Sequence, residues 1–356
     1  MITSMHIENF KCFKDFDIEL GKFNVLVGPN DSGKTAFLQA VQLATAFSEE
    51  SRIPASLLEE QLGTKLGKEA FWRNQTRPPI VIIANCPESE SKNNNRKGPL
   101  KVYSEGPEKF LYRLENEAAD GRLFVELTDN DVEWAFSEIG RSAYYQFEPN
   151  ALRKPSRISA KMKETGEGFP AFLAKISLES REVFFDLEKK FYSRFPYYKR
   201  LEPKITKIEN DQDAFCLRFH TVRGEELSSE SVSDGVMLSL AFIALAYSLE
   251  PPKILLIEEP ENGVHHASLK EIISTLRELS ENKRVQIILT THSPYLLDLV
   301  EPEEVRVFAK NKEGAVHAAK LSDHPEVEDL KKHFMTGEIW SGLDDAKVVE
   351  KCGGKK

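Results

Sequence analysis

Hydrophobic and polar positions alternate along the first residues of the chain. Ile2, Met5, Ile7 and Phe10 form one run, Phe16, Ile18 and Leu20 a second, and Phe23, Val25 and Val27 a third. A period of two predicts three short strands. The third strand runs into a glycine-bearing loop. From 35 to 47, Phe37, Leu38, Val41 and Leu43 stand among good helix formers, which predicts a helix after that loop.

The pattern changes between residues 49 and 150. Strand-like runs at 80–84, 100–103, 110–114 and 123–127 are separated by Gly, Pro, Asn and Asp turns, which predicts an antiparallel sheet packed beside the core. The polar segment 88–98 (ESESKNNNRKG) is expected to be a mobile loop. Helical spacing of Phe172, Ile176, Val183, Phe184, Leu187 and Phe191 predicts a helical subdomain over 167–195, and two strands near 200–208 and 214–222 return the chain to the core. From 233 the order is regular: an apolar helix (236–249), a buried strand (254–257), and an amphipathic helix bearing Leu269, Ile272, Ile273, Leu276 and Leu279. Strands at 285–290 and 305–308 follow. Alternating βα units imply a parallel sheet covered by helices. The expected fold class is therefore α/β, with a core from 1–48 and 228–310. An antiparallel β insert (49–150), a helical subdomain with return strands (151–227) and a C-terminal tail (311–356) complete the division.

Composition narrows the class. With 356 residues, 40% hydrophobic and 29% charged, the chain has apolar material for more than one core. Its longest apolar runs fall far short of the ~20 residues of a bilayer span, and a charged residue interrupts what would be a signal core in MITSMHIENF, so a cytoplasmic protein with no membrane partner is expected. Cys12, Cys86, Cys216 and Cys352 show no CxxC spacing and are expected to be free thiols. A net charge of -9 does not attract nucleic acid globally, so any such contact needs a local patch.

Gly28, Pro29, Asn30, Asp31, Ser32, Gly33, Lys34 and Thr35 match G-x-x-x-x-G-K-[ST] between a predicted strand and a predicted helix. Glycines let the backbone curl its N–H groups toward phosphates, and the helix dipole favours the same anion. Lys34 neutralises β/γ charge and the Thr35 hydroxyl reaches Mg²⁺. Glu258 and Glu259 end the strand at 254–257, where Glu258 would act on the Mg²⁺ shell through a water and Glu259 as general base toward the attacking water. His292, in TTHS after the next strand, is placed to bond the γ-phosphate or the attacking water. Ser233 and Gly235, in SVSDG before the apolar helix, form either a simple N-cap or a second anion site. Taken as an anion site, the loop caps the γ-phosphate of ATP bound by a second subunit. Arg153, Lys154, Arg157, Lys161 and Lys163 make a basic stretch, either a solvated face or a phosphate contact. His265 and His266 lack further ligands at zinc spacing.

The order and spacing of these motifs resemble the ATP-binding-cassette (ABC) class of P-loop ATPases. Within it, ILLIEEPENGVHH and TTHSPYLLDLV resemble the soluble branch of RecF-type, SMC-type and overcoming-lysogenisation-defect (OLD) ATPases, with OLD-like AAA-type proteins the most similar. The resemblance implies a P-loop NTPase fold of ABC type, ATP and Mg²⁺ as cofactors, and hydrolysis of ATP. It also implies that residues 261–265 form a D-loop at a dimer seam and that Asn9, Phe10 and Lys11 lie near the nucleotide. Two departures stand out: Glu258 replaces the aspartate of transporter-type cassettes, and the signature reads SDG rather than SGG. Gln146 is the candidate for the Q-loop glutamine. OLD-type nucleases carry a C-terminal nuclease domain with clustered acids; the residues after Lys310, including Asp344 and Asp345, do not match it, so cleavage would come from a partner.

The leading expectation is an ATPase that forms an ATP-sandwiched homodimer or higher oligomer. It would regulate an effector protein such as a nuclease, or a nucleic-acid clamp, in prokaryotic antiphage defence. A RecF-like ATP-dependent DNA-binding repair protein is the alternative. The large insert and the absence of an LSGGQ-like signature disfavour a transporter ATPase.

Overall fold

The computed structural model describes residues 1–46, 52–54, 72–74, 80–85, 100–104, 109–118, 121–126, 140–208 and 211–352. The loop expected over 88–98 lies outside the described residues. The chain divides into two compact units. One comprises Met1–Ala143, Pro252–Leu256 and Val285–Lys356, the other Tyr144–Pro251 and Ile257–Arg284.

The first unit holds one sheet and most of the strands of a second. β1 (Ser4–Phe10) and β2 (Phe13–Glu19) form a hairpin whose tight turn uses left-handed backbone at Asn9 and Lys11, φ 54° and 50°. This hairpin belongs to a seven-stranded sheet. The other members are β4 (Arg52–Pro54), β5 (Val81–Asn85), β6 (Leu100–Ser104), β7 (Lys109–Ala118) and β8 (Gly121–Glu126). The order is β2-β1-β5-β6-β7-β4, with β8 on β7 and every pair antiparallel.

The second sheet has the order β17-β16-β3-β15-β14-β9. Its members are β3 (Phe23–Val27), β9 (Ser142–Tyr145), β14 (Ile254–Glu258), β15 (Gln286–Thr290), β16 (Val305–Lys310) and β17 (Val316–Lys320). β3 lies parallel to both β15 and β16. Every residue of β3 and β15 is buried, so the alternation of Phe23, Val25 and Val27 marks no solvent face, Asn24 and Leu26 being buried as well. Buried Gln286 is satisfied: it accepts from Ile2 N at 2.9 Å and donates to the Ile2 and Gly21 carbonyls at 2.7 and 2.8 Å. α1 (Lys34–Thr45) follows β3 and buries Phe37, Leu38, Val41 and Leu43. Phe16, Phe37 and Phe308 meet with ring centroids 5.6 to 6.0 Å apart, so one aromatic cluster joins β2, α1 and β16.

The second unit packs helices on a four-stranded antiparallel sheet. The strands are β10 (Ser156–Arg157), β11 (Tyr198–Lys207), β12 (Asp213–Thr221) and β13 (Glu226–Ser228), in the order β10-β12-β11 with β13 on β12. Its helices are α2 (Pro149–Arg153), α3 (Phe169–Glu179), α4 (Arg181–Arg194), α5 (Asp234–Ala246) and α6 (His266–Lys283). The periodicity over 167–195 is thus two helices, broken at Ser180, whose backbone is extended and whose hydroxyl caps α4 by accepting from Val183 N at 3.5 Å. α5 is apolar all round and buried from Met237 to Leu245. Leu152, Phe169, Leu187, Phe191, Phe219 and Leu240 belong to one core.

Sequence patterning missed β9, β17 and the tail helices of the first unit, α7 (Pro294–Leu297), α8 (Val327–Leu330), α9 (Thr336–Gly342) and α10 (Asp345–Cys352). They are short, and α10 buries little more than Val348 and Val349. Among the described residues no helix is long and apolar enough to cross a membrane. Cys12, Cys216 and Cys352 are free thiols.

Phe308 is fully buried in the aromatic cluster. Phe308→Ala is expected to destabilise the protein by about 3–5 kcal/mol in urea unfolding. Ile205→Ala, at a side chain 60% exposed, should stay within about 0.5 kcal/mol of the parent.

Candidate functional site

The phosphate-loop motif joins β3 to α1. Gly28 has φ +141°, and a Cβ there would lie 2.2 Å from the Phe308 carbonyl oxygen; Gly33 has φ +97°, and its Cβ would meet Cys12 Sγ at 2.9 Å. Only glycine fits either position. Asp31 is also left-handed, φ 63°. The curl draws carbonyls inward onto Lys34, which is 7% exposed. Its Nζ donates to the Gly28 and Pro29 carbonyls at 2.9 and 3.0 Å and to Ser32 Oγ at 3.5 Å. Carbonyl dipoles thereby compensate a buried ammonium. α1 starts at Lys34 with no side-chain cap and no acid in its first turn, so nothing in its own first turn offsets the dipole. Asn30 and Thr35 are exposed.

The turn at 9–12 lies against this loop through Cys12, whose thiol burial pushes up to about 11, leaving it protonated at neutral pH. Lys11 Nζ donates to Gln39 Oε1 on α1. His292 follows β15 in a turn fixed by Thr291 N donating to the Leu26 carbonyl at 3.1 Å and Ser293 N donating to Thr291 Oγ1 at 2.9 Å. The tail also reaches the loop. Pro29, Asn30, Asp31 and Ser32 line a cavity of about 310 Å³ together with Lys310, Asp344 and Asp345. Lys310 pairs with Asp31. Asp345 accepts from Trp340 Nε1 at 2.8 Å. Burial raises its pKa, while Trp340 and the charges of Lys34 and His292 oppose that shift. The acids of the C-terminal tail are thus part of the loop's surroundings; their distance along the chain hid them.

Glu258 and Glu259 belong to the second unit, as does the Ser233 loop. Tyr144 on β9 donates to Glu258 Oε2, and burial followed by that carboxylate pushes the phenol well above its usual range. Glu259 has left-handed backbone, φ 46°, pinned by Asn262 Nδ2 donating to its carboxylate at 2.6 Å and Asn262 N donating to its carbonyl at 3.0 Å. Residues 261–265 turn back beside α5: a Cβ on Gly263 would lie 3.3 Å from Leu238, and one on Gly235 would lie 4.0 Å from the Gly263 carbonyl. His265 accepts from Ala267 N at 3.2 Å and caps α6, which accounts for it without a metal. Gln146 directly follows β9 and is exposed; its backbone N–H donates to the Glu164 carbonyl at 2.9 Å.

Ser233 occupies the N-cap position of α5, yet its hydroxyl makes no capping bond. Its carbonyl accepts the first helical bond, from Met237 N at 3.1 Å. Arg153 departs from both readings of the basic stretch. Only 11% of its side chain is exposed, and it donates to the Ser229 carbonyl (3.0 Å), the Val232 carbonyl (2.7 Å) and Asp234 Oδ1 (2.6 Å). Lys154, Arg157, Lys161 and Lys163 are exposed. Among the described residues, His6, Asp15 and Asp17 on the β1–β2 hairpin also have metal-ligand spacing, but the His6 nitrogens sit at 2.8 and 2.9 Å from Glu8 and Asp17.

A raised carboxyl pKa means the folded state binds the proton more tightly than the unfolded chain. Asp345 therefore favours folding below its ordinary value of 3.8, and that contribution is lost as pH rises through the raised value. Asp345→Asn keeps an acceptor for Trp340, so its stability advantage over the parent should grow as pH rises above about 4 and then level off in urea unfolding.

Comparison with known proteins agrees with this architecture. Residues 23–298 match the family described as "AAA domain, putative AbiEii toxin, Type IV TA system". The chain is 23% identical over 386 aligned positions to the OLD nuclease of Thermus scotoductus, covering 95% of this chain and 68% of that protein. In fold it is similar to an SMC head crystallised with the C-terminal winged-helix domain of ScpA. The TM-score is 0.59 at 15% identity, over 89% of this chain and 97% of that one. A second SMC head, with an extended coiled coil and bound to the C-terminal domain of ScpA from Pyrococcus furiosus, gives a TM-score of 0.53 at 12% identity, over 93% and 99%. The chain belongs to this AAA-domain family, is similar in sequence to an OLD nuclease, and shares the fold of the SMC heads.

Proposed function

We propose that this cytoplasmic ATPase binds ATP and Mg²⁺ on the loop from Gly28 to Thr35, hydrolyses the ATP between two copies of itself, and thereby controls an effector protein. The observation that carries the reading is Lys34. A buried ammonium held by the Gly28 and Pro29 carbonyls, at the start of a helix with no acidic cap, assembles positive charge and a helix dipole in one place. Gly28 and Gly33, where a Cβ would strike the Phe308 carbonyl oxygen and Cys12 Sγ, let the loop keep the curl that turns its backbone N–H groups toward a phosphate. Thr35 and, through water, Glu258 would hold Mg²⁺, which when bound neutralises charge on the β- and γ-oxygens. Tyr144 fixes the Glu258 carboxylate.

Glu259 would take the proton of the attacking water, its carboxylate aimed by Asn262. His292 and Lys34 would face the γ-phosphate, and Lys11 would lie at the edge of the nucleotide. Ser233 and Gly235 of the second copy would close the site, with residues 261–265 at the seam. The effector is proposed to be a nuclease or similar toxic protein in prokaryotic antiphage defence, a role supported by similarity to an OLD nuclease and by the family's description. The exposed Lys154, Arg157, Lys161 and Lys163 favour the second reading, a RecF-like DNA-binding repair protein.

Lys34→Ala should abolish ATP binding measured by calorimetry, and retained micromolar binding would remove the loop from the site. Glu259→Gln should bind ATP normally and lower kcat by about 10²–10⁴. It should also double the ATP-bound mass in light scattering, whereas unchanged turnover would reassign the base. Duplex DNA binding by the isolated ATP-loaded protein, measured by anisotropy, would replace effector control by the repair reading.

A further inference from the structure

The loop before α5 presents an electrostatic problem to any phosphate. Asp234 opens the helix with a carboxylate at the N-terminal end, where transporter-type signatures have glycine, and a carboxylate there competes with an incoming anion for the same N–H groups and dipole. Arg153 answers it. Its guanidinium lies 2.6 Å from Asp234 Oδ1 while donating to the Ser229 and Val232 carbonyls. The Ser229 hydroxyl returns a bond to the Arg153 carbonyl at 3.2 Å, so α2 and the loop are locked from both sides.

The peptide plane carries this clamp to the site. In a trans peptide the C=O and the following N–H point in opposite directions. With the Val232 carbonyl drawn onto Arg153, the Ser233 N–H points away from the guanidinium, on an exposed residue. With the Ser229 carbonyl drawn the same way, the Glu230 N–H points outward too. The planar fork suits Arg153 to three acceptors at once, which a lysine ammonium on a flexible stem would not hold in register.

We infer that Arg153 is the positioning residue of the Ser233–Gly235 loop: it neutralises Asp234 and turns the loop's carbonyls inward, so that the Ser233 amide faces the γ-phosphate of ATP held by a second copy. This inference rests on the sandwiched-dimer reading above and adds a residue and a reason for the SDG sequence. Arg153 acts through the loop, not on the nucleotide. Its removal therefore affects closure of the pair more than ATP capture by one protomer.

The test uses the full chain carrying Glu259→Gln. ATP-dependent association is followed by light scattering, and ATP affinity is measured with a fluorescent analogue at protein concentrations too low to associate. Adding Arg153→Ala should weaken ATP-dependent association more than about tenfold, the scale of losing bonds to a charged group, while single-protomer affinity changes less than about threefold. Adding Asp234→Asn to Arg153→Ala should recover part of the association, because the uncompensated carboxylate is gone. Arg153→Lys should fall between parent and Arg153→Ala. Association equal to the parent's in Arg153→Ala, or no recovery on adding Asp234→Asn, overturns the inference. Should Arg153→Ala lose its cooperative unfolding transition, Arg153→Lys with and without Asp234→Asn decides by the same comparison. If the Glu259→Gln parent itself fails to associate with ATP, the sandwiched-dimer reading fails instead.

Discussion

The Phe308 carbonyl oxygen occupies the space where a side chain at position 28 would begin. That backbone-to-backbone approach follows from β3 lying parallel and in register with β16. It forces a glycine at the end of β3, and the glycine in turn lets the loop curl until its carbonyls converge on Lys34. The Phe308 ring meanwhile sits among Phe16 and Phe37, which tie the hairpin and α1 to the same strand. One residue thus sets the loop by its backbone and the core by its side chain. Ring pairs of this kind contribute about 0.5–1.5 kcal/mol each beyond their buried area, so packing holds the strand against which the loop is shaped.

A protein of net charge -9 that, on the reading proposed above, takes a polyanion has to manage carboxylates close to the backbone proposed to hold it. Pairing is the means on both loops. Asp31 pairs with Lys310, and Asp234 with Arg153. Both carboxylates are exposed although Arg153 is not, so water screens the pairs and their effect lies in the local field and in geometry. Asp345 is handled differently: half-buried and bonded to Trp340, it faces Lys34 and His292, whose charges counter the burial that raises its pKa.

Much of the architecture was legible in the chain. The apolar run at β15 announced a buried strand, alternation marked β3 as a strand, and the glycine-lysine spacing marked the loop. The helical period of Leu269, Ile272, Ile273, Leu276 and Leu279 marked α6, which buries all five. Each is a local signal, fixed by neighbours a few residues away. The amphipathic tail helices and β9 carry too few apolar residues for a period to emerge, and the single helical stretch over 167–195 hid a break that Ser180 makes with its backbone.

The sequence by itself determined the fold class, the phosphate loop and the acids and histidine at strand ends, because strand, turn and helix chemistry is written in adjacent residues. Only the tertiary structure decided which hairpin shares a sheet with the insert strands, and that Asp344 and Asp345 line the loop's cavity. It also showed that Arg153, one of five bases in a polar stretch, faces inward. A guanidinium's role depends on which acceptors lie within 3 Å of it, and those on Ser229, Val232 and Asp234 come from far along the chain.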